Sequence, residues 1–299
     1  MILLLDVVTG WILFASLALC TGVVLGRWVI LLHVGGDSTV PGEDLRMVAA
    51  RVGGRATLLL WASLVLVFAR QLLEFRDPFV PWISDARLLL GGTDWGATWT
   101  SAILVALMAH VGFRLVLRGR GVGWWVATLA VLALGAFPAL TGHANAGEPR
   151  GLTLMVDTLH VWAAGGWIGG LALLIFLEVR QRREQGPAAR SLLPALVPGF
   201  SRLAMGCVAA LVATGTFASW VHLESVSAVV GTPYGRLLLL KLALVAGVLA
   251  FGAVNLKRIT PRLREPTGHA AMVRAAALEL ALACAVFAVT AILVRTSPP

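Results

Sequence analysis

Eight apolar stretches dominate this sequence and limit what it can fold into. Each is about 20 residues long or longer, which is the length an α-helix needs to cross the hydrocarbon core of a bilayer. Only 13% of the 299 residues are charged, roughly half the share of an ordinary soluble domain. We predict an all-α, polytopic membrane helical bundle in a single integral membrane domain (1–299), with about eight spans near residues 8–32, 55–75, 97–117, 122–141, 151–177, 202–222, 236–256 and 273–295.

Basic residues are divided unevenly between the loops on the two sides of this bundle. Sixteen arginines and lysines flank the loops after the first, third, fifth and seventh spans, whereas six lie on the opposite side. Because cytoplasmic loops carry the excess of basic residues, the first set is predicted to face the cytoplasm and both termini to face outward. The net charge of +9 is interpreted in the same way, and the chain shows no basic–aromatic pattern that would indicate a nucleic acid partner.

Several sequence features favour packing over chemistry. Cys20, Cys207 and Cys284 lie in separate apolar runs without a Cys-x-x-Cys pair, so they predict neither a zinc site nor a redox pair. The small residues of 165–170 are predicted to pack helices closely. The sequence has no Walker motif and no Gly-rich phosphate loop, so we do not expect ATP-driven pumping by this chain alone, and we do not expect an enzyme.

The stretch MVDTLHVWAAGGWIGG, residues 155–170, places titratable side chains inside the fifth span. Asp157 and His160 stand three residues apart and share a helix face, with Trp167 two turns further on and Met155 about a turn before. An aspartate beside a histidine can orient a ligating imidazole or ligate the metal itself. Histidine, methionine and carboxylate together suit copper or another first-row metal better than calcium or magnesium.

Further polar residues extend this group toward the outer face. His143 lies in the outer-side loop after the fourth span, and His222 ends the sixth span two residues before Glu224. His160 is about nine residues into its span, roughly 14 Å at 1.5 Å per residue, so the three histidines line a route from the outer face toward the bilayer centre. Lys241 lies at a depth similar to that of Asp157, and an Asp157–Lys241 ion pair is possible.

Five stretches together resemble the copper resistance protein D family of bacterial inner-membrane proteins. They are LTGHA (140–144), DTLHVWAAGGWIGGL (157–171), FSRLA (200–204), ATGTF (213–217) and TPYGRLLLLKLALV (232–245). The resemblance covers roughly residues 137–296, so we divide the domain into four less diagnostic spans (1–136) and a copper resistance D-like region of four spans (137–299). The family's motif positions correspond here to His143, Asp157, His160 and Trp167, then to Tyr234, Arg236 and Lys241.

The resemblance implies a multi-pass protein of the bacterial inner membrane that handles copper ions, usually by uptake across that membrane. Some relatives carry a periplasmic copper-binding domain that this chain does not contain, so we expect it to take copper either from a periplasmic copper-binding partner or directly from the periplasm. On this hypothesis His143 and His222 capture the ion, and His160, oriented by Asp157, holds it deeper. Met155 is a candidate soft ligand, which would favour Cu(I), whereas imidazole accepts Cu(I) or Cu(II).

Two alternatives remain open at this point. One is a haem-binding electron-transfer protein, because helical bundles hold haem between histidines on facing helices, and both His160 and His110 lie well inside predicted spans. The other is a copper sensor or assembly factor, which binds the metal without transporting it. A Soret band would distinguish the first alternative, and a measurement of copper flux would distinguish the second.

Overall fold

A computed structural model describes residues 2–34, 42–142, 149–186, 191–222, 227–263 and 268–297, which form helices and no strand. The helices are α1 (Ile2–Val34), α2 (Gly42–Phe75), α3 (Trp82–Gly91), α4 (Asp94–Leu117), α5 (Val122–Leu134), α6 (Phe137–Thr141), α7 (Arg150–Ala164), α8 (Gly170–Gln185), α9 (Leu193–His222), α10 (Ala228–Gly231), α11 (Pro233–Val254) and α12 (Gly268–Leu293). A π-helical turn, Gly165–Gly169, joins α7 to α8, and a second, Asn255–Ile259, continues α11.

Eight helical segments within the described residues are long and apolar enough to cross a membrane. They are Leu4–Val29, Asp44–Phe75, Asp94–Leu117, Val122–Thr141, Arg150–Gln185, Leu193–Val221, Pro233–Ile259 and Gly268–Leu293. This confirms the prediction of an all-α, polytopic membrane bundle with eight spans. The second span is α2, the fifth is α7 and α8 with the π turn between them, and the seventh is α11 with its π turn.

Several helix boundaries differ from the predicted ones. Helix α2 begins at Gly42 instead of near residue 55, and α9 begins at Leu193 instead of near residue 202. The predicted loop 76–96 contains the helix α3, with Asp85 in its first turn, where a negative charge is favourable. Hydropathy marks the part of a helix that lies in lipid, whereas the hydrogen-bonded helix continues into water through polar residues such as Arg51, which is exposed.

Helix α1 is the central helix of the bundle. It packs against α2, α5, α7, α8, α9, α12 and the first π turn, and residues in its middle, such as Val23 and Val24, are completely buried. One hydrophobic core therefore contains residues of both regions, 1–136 and 137–299, from Leu13 to Ala276.

The contact between α1 and the first π turn depends on glycine. A Cβ atom added to Gly169 would lie 1.8 Å from the carbonyl oxygen of Ala18, and one added to Gly22 would lie 2.0 Å from the carbonyl carbon of Gly169. The two backbones are therefore in direct contact, as expected for small residues at a membrane helix interface. This agrees with the prediction that the glycines of 165–170 serve close packing.

Charged residues connect the ends of helices on one side of the bundle. Arg70, near the end of α2, donates from Nε to Asp6 Oδ1 at the start of α1 and from Nη1 to Glu74 Oε2 at 2.8 Å. At the opposite end of α1, Arg27 lies over the rings of Trp28 and Trp124, at 5.1 and 4.8 Å from their centroids. Both arginines thus keep their charge within the bundle through ion pairs or cation–π contacts.

Candidate functional site

His160 is anchored to a neighbouring helix. It lies on α7, ten residues after Arg150, which corresponds to about 15 Å along the helix, and its ring is partly buried. The Nδ1 atom is 2.8 Å from the hydroxyl oxygen of Thr214 on α9, and α7 packs directly against α9. This contact fixes the orientation of the imidazole within the membrane.

The hydrogen bonds of Thr214 assign the ring hydrogen of His160 to one of its two nitrogens. The Thr214 hydroxyl donates its single hydrogen to the carbonyl of Ala210, 2.7 Å away on the same helix. The hydroxyl must then accept at its contact with His160, so Nδ1 is the N–H donor. In the neutral imidazole, Nε2 consequently carries the lone pair, which is the form that binds a metal.

Charge interactions connect His160 to a group of three further residues, Lys241, Asp157 and Tyr234. The charge of Lys241 acts on His160, and the charge of Asp157 acts on Lys241 and on Tyr234. Residues of α7 and α11 therefore form one polar cluster, although the predicted Asp157–Lys241 ion pair remains a prediction. Tyr234 is buried against Leu238 and Leu293.

The TPYGR stretch that precedes Lys241 forms the start of α11. Thr232 is the N-cap and accepts from the backbone N–H of Gly235 at 3.0 Å, with Pro233 in the first turn. Both features are preferred at helix starts. Arg236 is exposed and donates from Nε to the carbonyl of Val230 at 3.0 Å. These residues position α11, and therefore Lys241, relative to α10.

The remaining predicted site residues are Trp167, Met155, His143, His222 and Glu224. Trp167 is buried within the first π turn, whereas the Met155 side chain is 61% exposed. His143 and Glu224 lie outside the described residues, as does the side chain of His222. Among the side chains that the structure describes, no three His, Cys, Asp or Glu residues form a metal-ligating group. The predicted metal ligands thus remain a prediction.

A cavity lies beside the start of α7. It has a volume of about 270 Å³ and is lined by residues at the start of α4 and around the end of α6, together with Arg150. Gly142, one of its lining residues, directly precedes His143. The cavity provides polar surface at the end of the bundle where α7 begins.

A second imidazole–hydroxyl pair lies in the first half of the chain. His110 Nδ1 on α4 is 2.9 Å from Thr57 Oγ1 on α2, and Thr57 also donates to the carbonyl of Gly54 at 2.8 Å. His110 is thus anchored to α2 as His160 is anchored to α9, and the haem alternative remains a prediction.

The fold and the polar cluster define a multi-pass α-helical membrane protein with an oriented imidazole inside its second half. Residues 194–293 match the family model for copper resistance protein D. This confirms the resemblance that the sequence indicated. The matched residues include Thr214 and Lys241, whereas His160 and Asp157 precede them.

Two characterised proteins are similar to the chain. The copper transport protein CutJ of Bacillus subtilis (strain 168) is 28% identical over 211 residues, which are 70% of this chain and 37% of that protein. Copper resistance protein D of Pseudomonas syringae pv. tomato is 27% identical over 274 residues, 87% of this chain and 86% of that protein. The chain therefore matches about a third of the first relative and most of the second. No solved structure matches the chain significantly.

Proposed function

We propose that this protein moves copper across the bacterial inner membrane, in the direction of uptake, through a pathway that includes His160. The observation that carries the proposal is the His160–Thr214 hydrogen bond, which leaves the Nε2 lone pair available to a metal. The names of the similar proteins, a copper transport protein and a copper resistance protein, support copper as the transported ion. Copper is the cargo in this proposal.

Imidazole and its orienting hydroxyl have the chemistry that a transit site requires. A nitrogen ligand binds Cu(I) and Cu(II), and a single oriented ligand holds the ion more weakly than a closed four-ligand site. An ion that must leave again needs binding of this moderate kind. Thr214 supplies the contact that keeps Nε2 in place between one ion and the next.

Asp157 and Lys241 set the charge around this position. A carboxylate lowers the energy of a cation in the membrane, whereas an ammonium group raises it. Since Asp157 interacts with Lys241, the pair nearly cancels when no copper ion is present. An arriving cation is attracted by Asp157 and repelled by Lys241, which favours passage over trapping.

His143, His222 and Glu224 complete the proposed route on the outer side. In the sequence His143 directly follows Gly142, which lines the cavity beside the start of α7, and His222 ends the helix that carries Thr214. They would receive the ion from the periplasm or from a periplasmic copper-binding protein and pass it to His160. Met155 would contribute a thioether at the lipid-facing side of α7.

The proposal is tested by reconstitution. The purified full chain is placed in liposomes that contain a copper-sensitive dye, copper is added outside, and the wild type is compared with His160→Ala. We expect dye quenching with the wild type and a loss of most of that signal with His160→Ala.

His110→Ala is the matched control, because it removes an imidazole that makes the same kind of threonine contact but is not among the residues of the proposed route. It should retain copper entry. Equal entry in the wild type and His160→Ala would contradict the assigned site. Copper binding without entry would contradict transport and favour a sensor or assembly factor.

A further inference from the structure

A carboxyl group is buried between the last two membrane-spanning helices. Glu279 lies on α12, eleven residues after Gly268, and its residue is 4% exposed. Its carboxyl oxygen Oε1 accepts from the side-chain amide of Asn255, which is the first residue of the second π turn and is also 4% exposed. An ionised carboxylate at such a position is expensive and requires a positive partner.

Among the side chains that the structure describes, the charged groups near Glu279 do not provide that partner. Lys257 and Arg258 on the π turn are exposed, and so is Arg274 on α12. Charged side chains on the other packed helices α1 and α8 have their own contacts: Asp6 with Arg70, Arg27 with Trp28 and Trp124, and Glu178 with Arg182. Among the described residues, the hydrogen bond from Asn255 is the polar contact that the Glu279 carboxyl makes.

The side-chain amide of Asn255 has one hydrogen-bond acceptor without a donor. Its oxygen Oδ1 is buried and has no hydrogen-bond partner among the described residues. A carboxylate can only accept hydrogen bonds, so it satisfies the amide N–H and leaves Oδ1 without a donor. A neutral carboxylic acid satisfies both, because its O–H can donate to Oδ1 while its other oxygen accepts from Nδ2. The unpaired oxygen therefore indicates a hydrogen on Glu279.

We propose that Glu279 and Asn255 form a proton-binding site inside the membrane, in which the neutral Glu279 carboxyl donates to Asn255 Oδ1. Release transfers this proton to water and leaves a carboxylate, and rebinding reverses the step. The site lies where α11 ends in a π turn, a feature frequently found at functional sites. Gly252, one turn before Asn255, lies next to the second carboxyl oxygen: an added Cβ there would be in ordinary contact with Oε2, at 3.8 Å.

A site of this kind would allow the proton gradient to drive another ion. The link between this proton and copper movement rests on the proposed function, whereas the protonation of Glu279 does not. Infrared difference spectroscopy of the purified full chain at neutral pH tests the protonation directly. We expect a carbonyl band of a protonated carboxyl that shifts in heavy water and is absent from Glu279→Gln.

Glu178→Gln is the matched control for this measurement. Glu178 is also fully buried, but it accepts from Arg182 Nε at 2.6 Å and from the backbone N–H of Leu192 at 2.8 Å, the environment of an ionised carboxylate. The variant Glu178→Gln should therefore leave the carbonyl band unchanged. If Glu279→Gln removes no such band from the wild-type spectrum, the proposal is overturned. Glu279→Gln retains the size of the side chain and a partner for the amide, so folding should be preserved.

One further variant and one further measurement separate the acid–amide pair and its coupling from transport itself. Asn255→Leu should shift the band to the frequency of an unbonded acid, and an unshifted band would overturn the pairing. In liposomes with an imposed pH gradient, copper entry should follow the gradient in the wild type and ignore it in Glu279→Gln. Wild-type entry that ignores the gradient would overturn the coupling. A protonated band without any copper entry would support the proton site and overturn the proposed transport.

Discussion

His160 and Thr214, which are 54 positions apart in the sequence, are joined by a hydrogen bond of 2.8 Å between Nδ1 and the hydroxyl oxygen. Thr214 is itself fixed by its bond to the carbonyl of Ala210. The imidazole therefore inherits its orientation from α9, a helix that packs along α7. A substitution that removes the Thr214 hydroxyl should therefore free the imidazole to rotate. It should also allow the ring hydrogen to move between Nδ1 and Nε2, while His160 itself stays unchanged.

Thr214→Val should weaken copper binding while leaving His160 in place. Valine has a similar shape but cannot accept from Nδ1, so the ring loses its fixed orientation. The loss of such an orienting partner typically costs roughly 10- to 100-fold in metal affinity. Competition with a chelator of known affinity, on the purified full chain, measures the change.

Thr214→Ser and Thr57→Val are the controls for that measurement. Serine keeps the hydroxyl and should bind copper about as well as the wild type. Thr57→Val disrupts the corresponding pair with His110 and should not change the affinity. An affinity of Thr214→Val equal to that of the wild type would argue against His160 as an oriented ligand.

Substitutions of Lys241 and Asp157 should change copper binding in opposite directions. Lys241→Met removes a positive charge that acts on His160, whereas Asp157→Asn removes a negative one. At an effective dielectric constant near 20, a single charge at a separation of about 8–15 Å contributes about 1–2 kcal/mol. We therefore expect roughly tenfold tighter binding for the first and roughly tenfold weaker binding for the second.

The exposed Lys257 supplies the comparison for this pair of variants. Lys257→Met changes the net charge by the same amount as Lys241→Met, but at the end of the seventh span. Its copper affinity should equal that of the wild type. A change of the same sign in Lys241→Met and Asp157→Asn would show that structural damage, not charge, determines their affinity.

The eight spans and the glycine contact could be predicted because they depend on local composition. Twenty apolar residues predict a membrane helix whatever surrounds them, and glycines four apart predict close packing. The beginning of α2 at Gly42 could not be predicted in this way, because helices continue beyond the lipid. Hydropathy contains no information about how far they continue.

The candidate site could be predicted only in part, for a related reason. Asp157 and His160 stand out because titratable residues are rare within a span. Thr214 does not stand out, since threonine commonly donates to its own helix in a membrane, as Thr214 does to Ala210. Its second role depends on how α7 and α9 are arranged in space. The Asn255–Glu279 pair likewise required the contact between α11 and α12.

Gly169→Ala should strongly destabilise the bundle. The added methyl group would lie 1.8 Å from the Ala18 carbonyl oxygen, so α1 and the π turn would have to separate. Overpacking typically costs about 1–3 kcal/mol, and a backbone contact cannot be relieved by a rotamer change. We expect a lower midpoint of thermal unfolding, measured by fluorescence-detected size-exclusion chromatography.

Gly206→Ala is the control for this substitution, because Gly206 also lies in a membrane helix but has no heavy atom within 4 Å of an added Cβ. Alanine has the higher helix propensity, so the midpoint should stay the same or rise slightly. Equal effects of Gly169→Ala and Gly206→Ala would mean that the α1 contact does not limit stability.

Arg70→Gln should destabilise the ends of α1 and α2 at which Asp6 and Arg70 meet, by removing the guanidinium that pairs with the buried Asp6 carboxylate. Arg70 and Asp6 have side chains that are only 5% and 10% exposed, and the removal of one partner from such a pair typically costs about 3–5 kcal/mol. The midpoint of thermal unfolding should therefore fall. Adding Asp6→Asn to the same chain should recover much of this decrease in the midpoint, because it removes the carboxylate that loses its partner in Arg70→Gln.

The pair Arg180–Glu184 shows what a surface contact should do by comparison. Its side chains are 31% and 56% exposed, and ion pairs of this kind contribute about 0–1 kcal/mol. Arg180→Gln should therefore leave the midpoint almost unchanged. A further decrease of the midpoint when Asp6→Asn is added to Arg70→Gln would contradict the prediction. Asp6 would then stabilise the helix ends through groups other than Arg70, and the ion pair would not explain the stability of this end of the bundle.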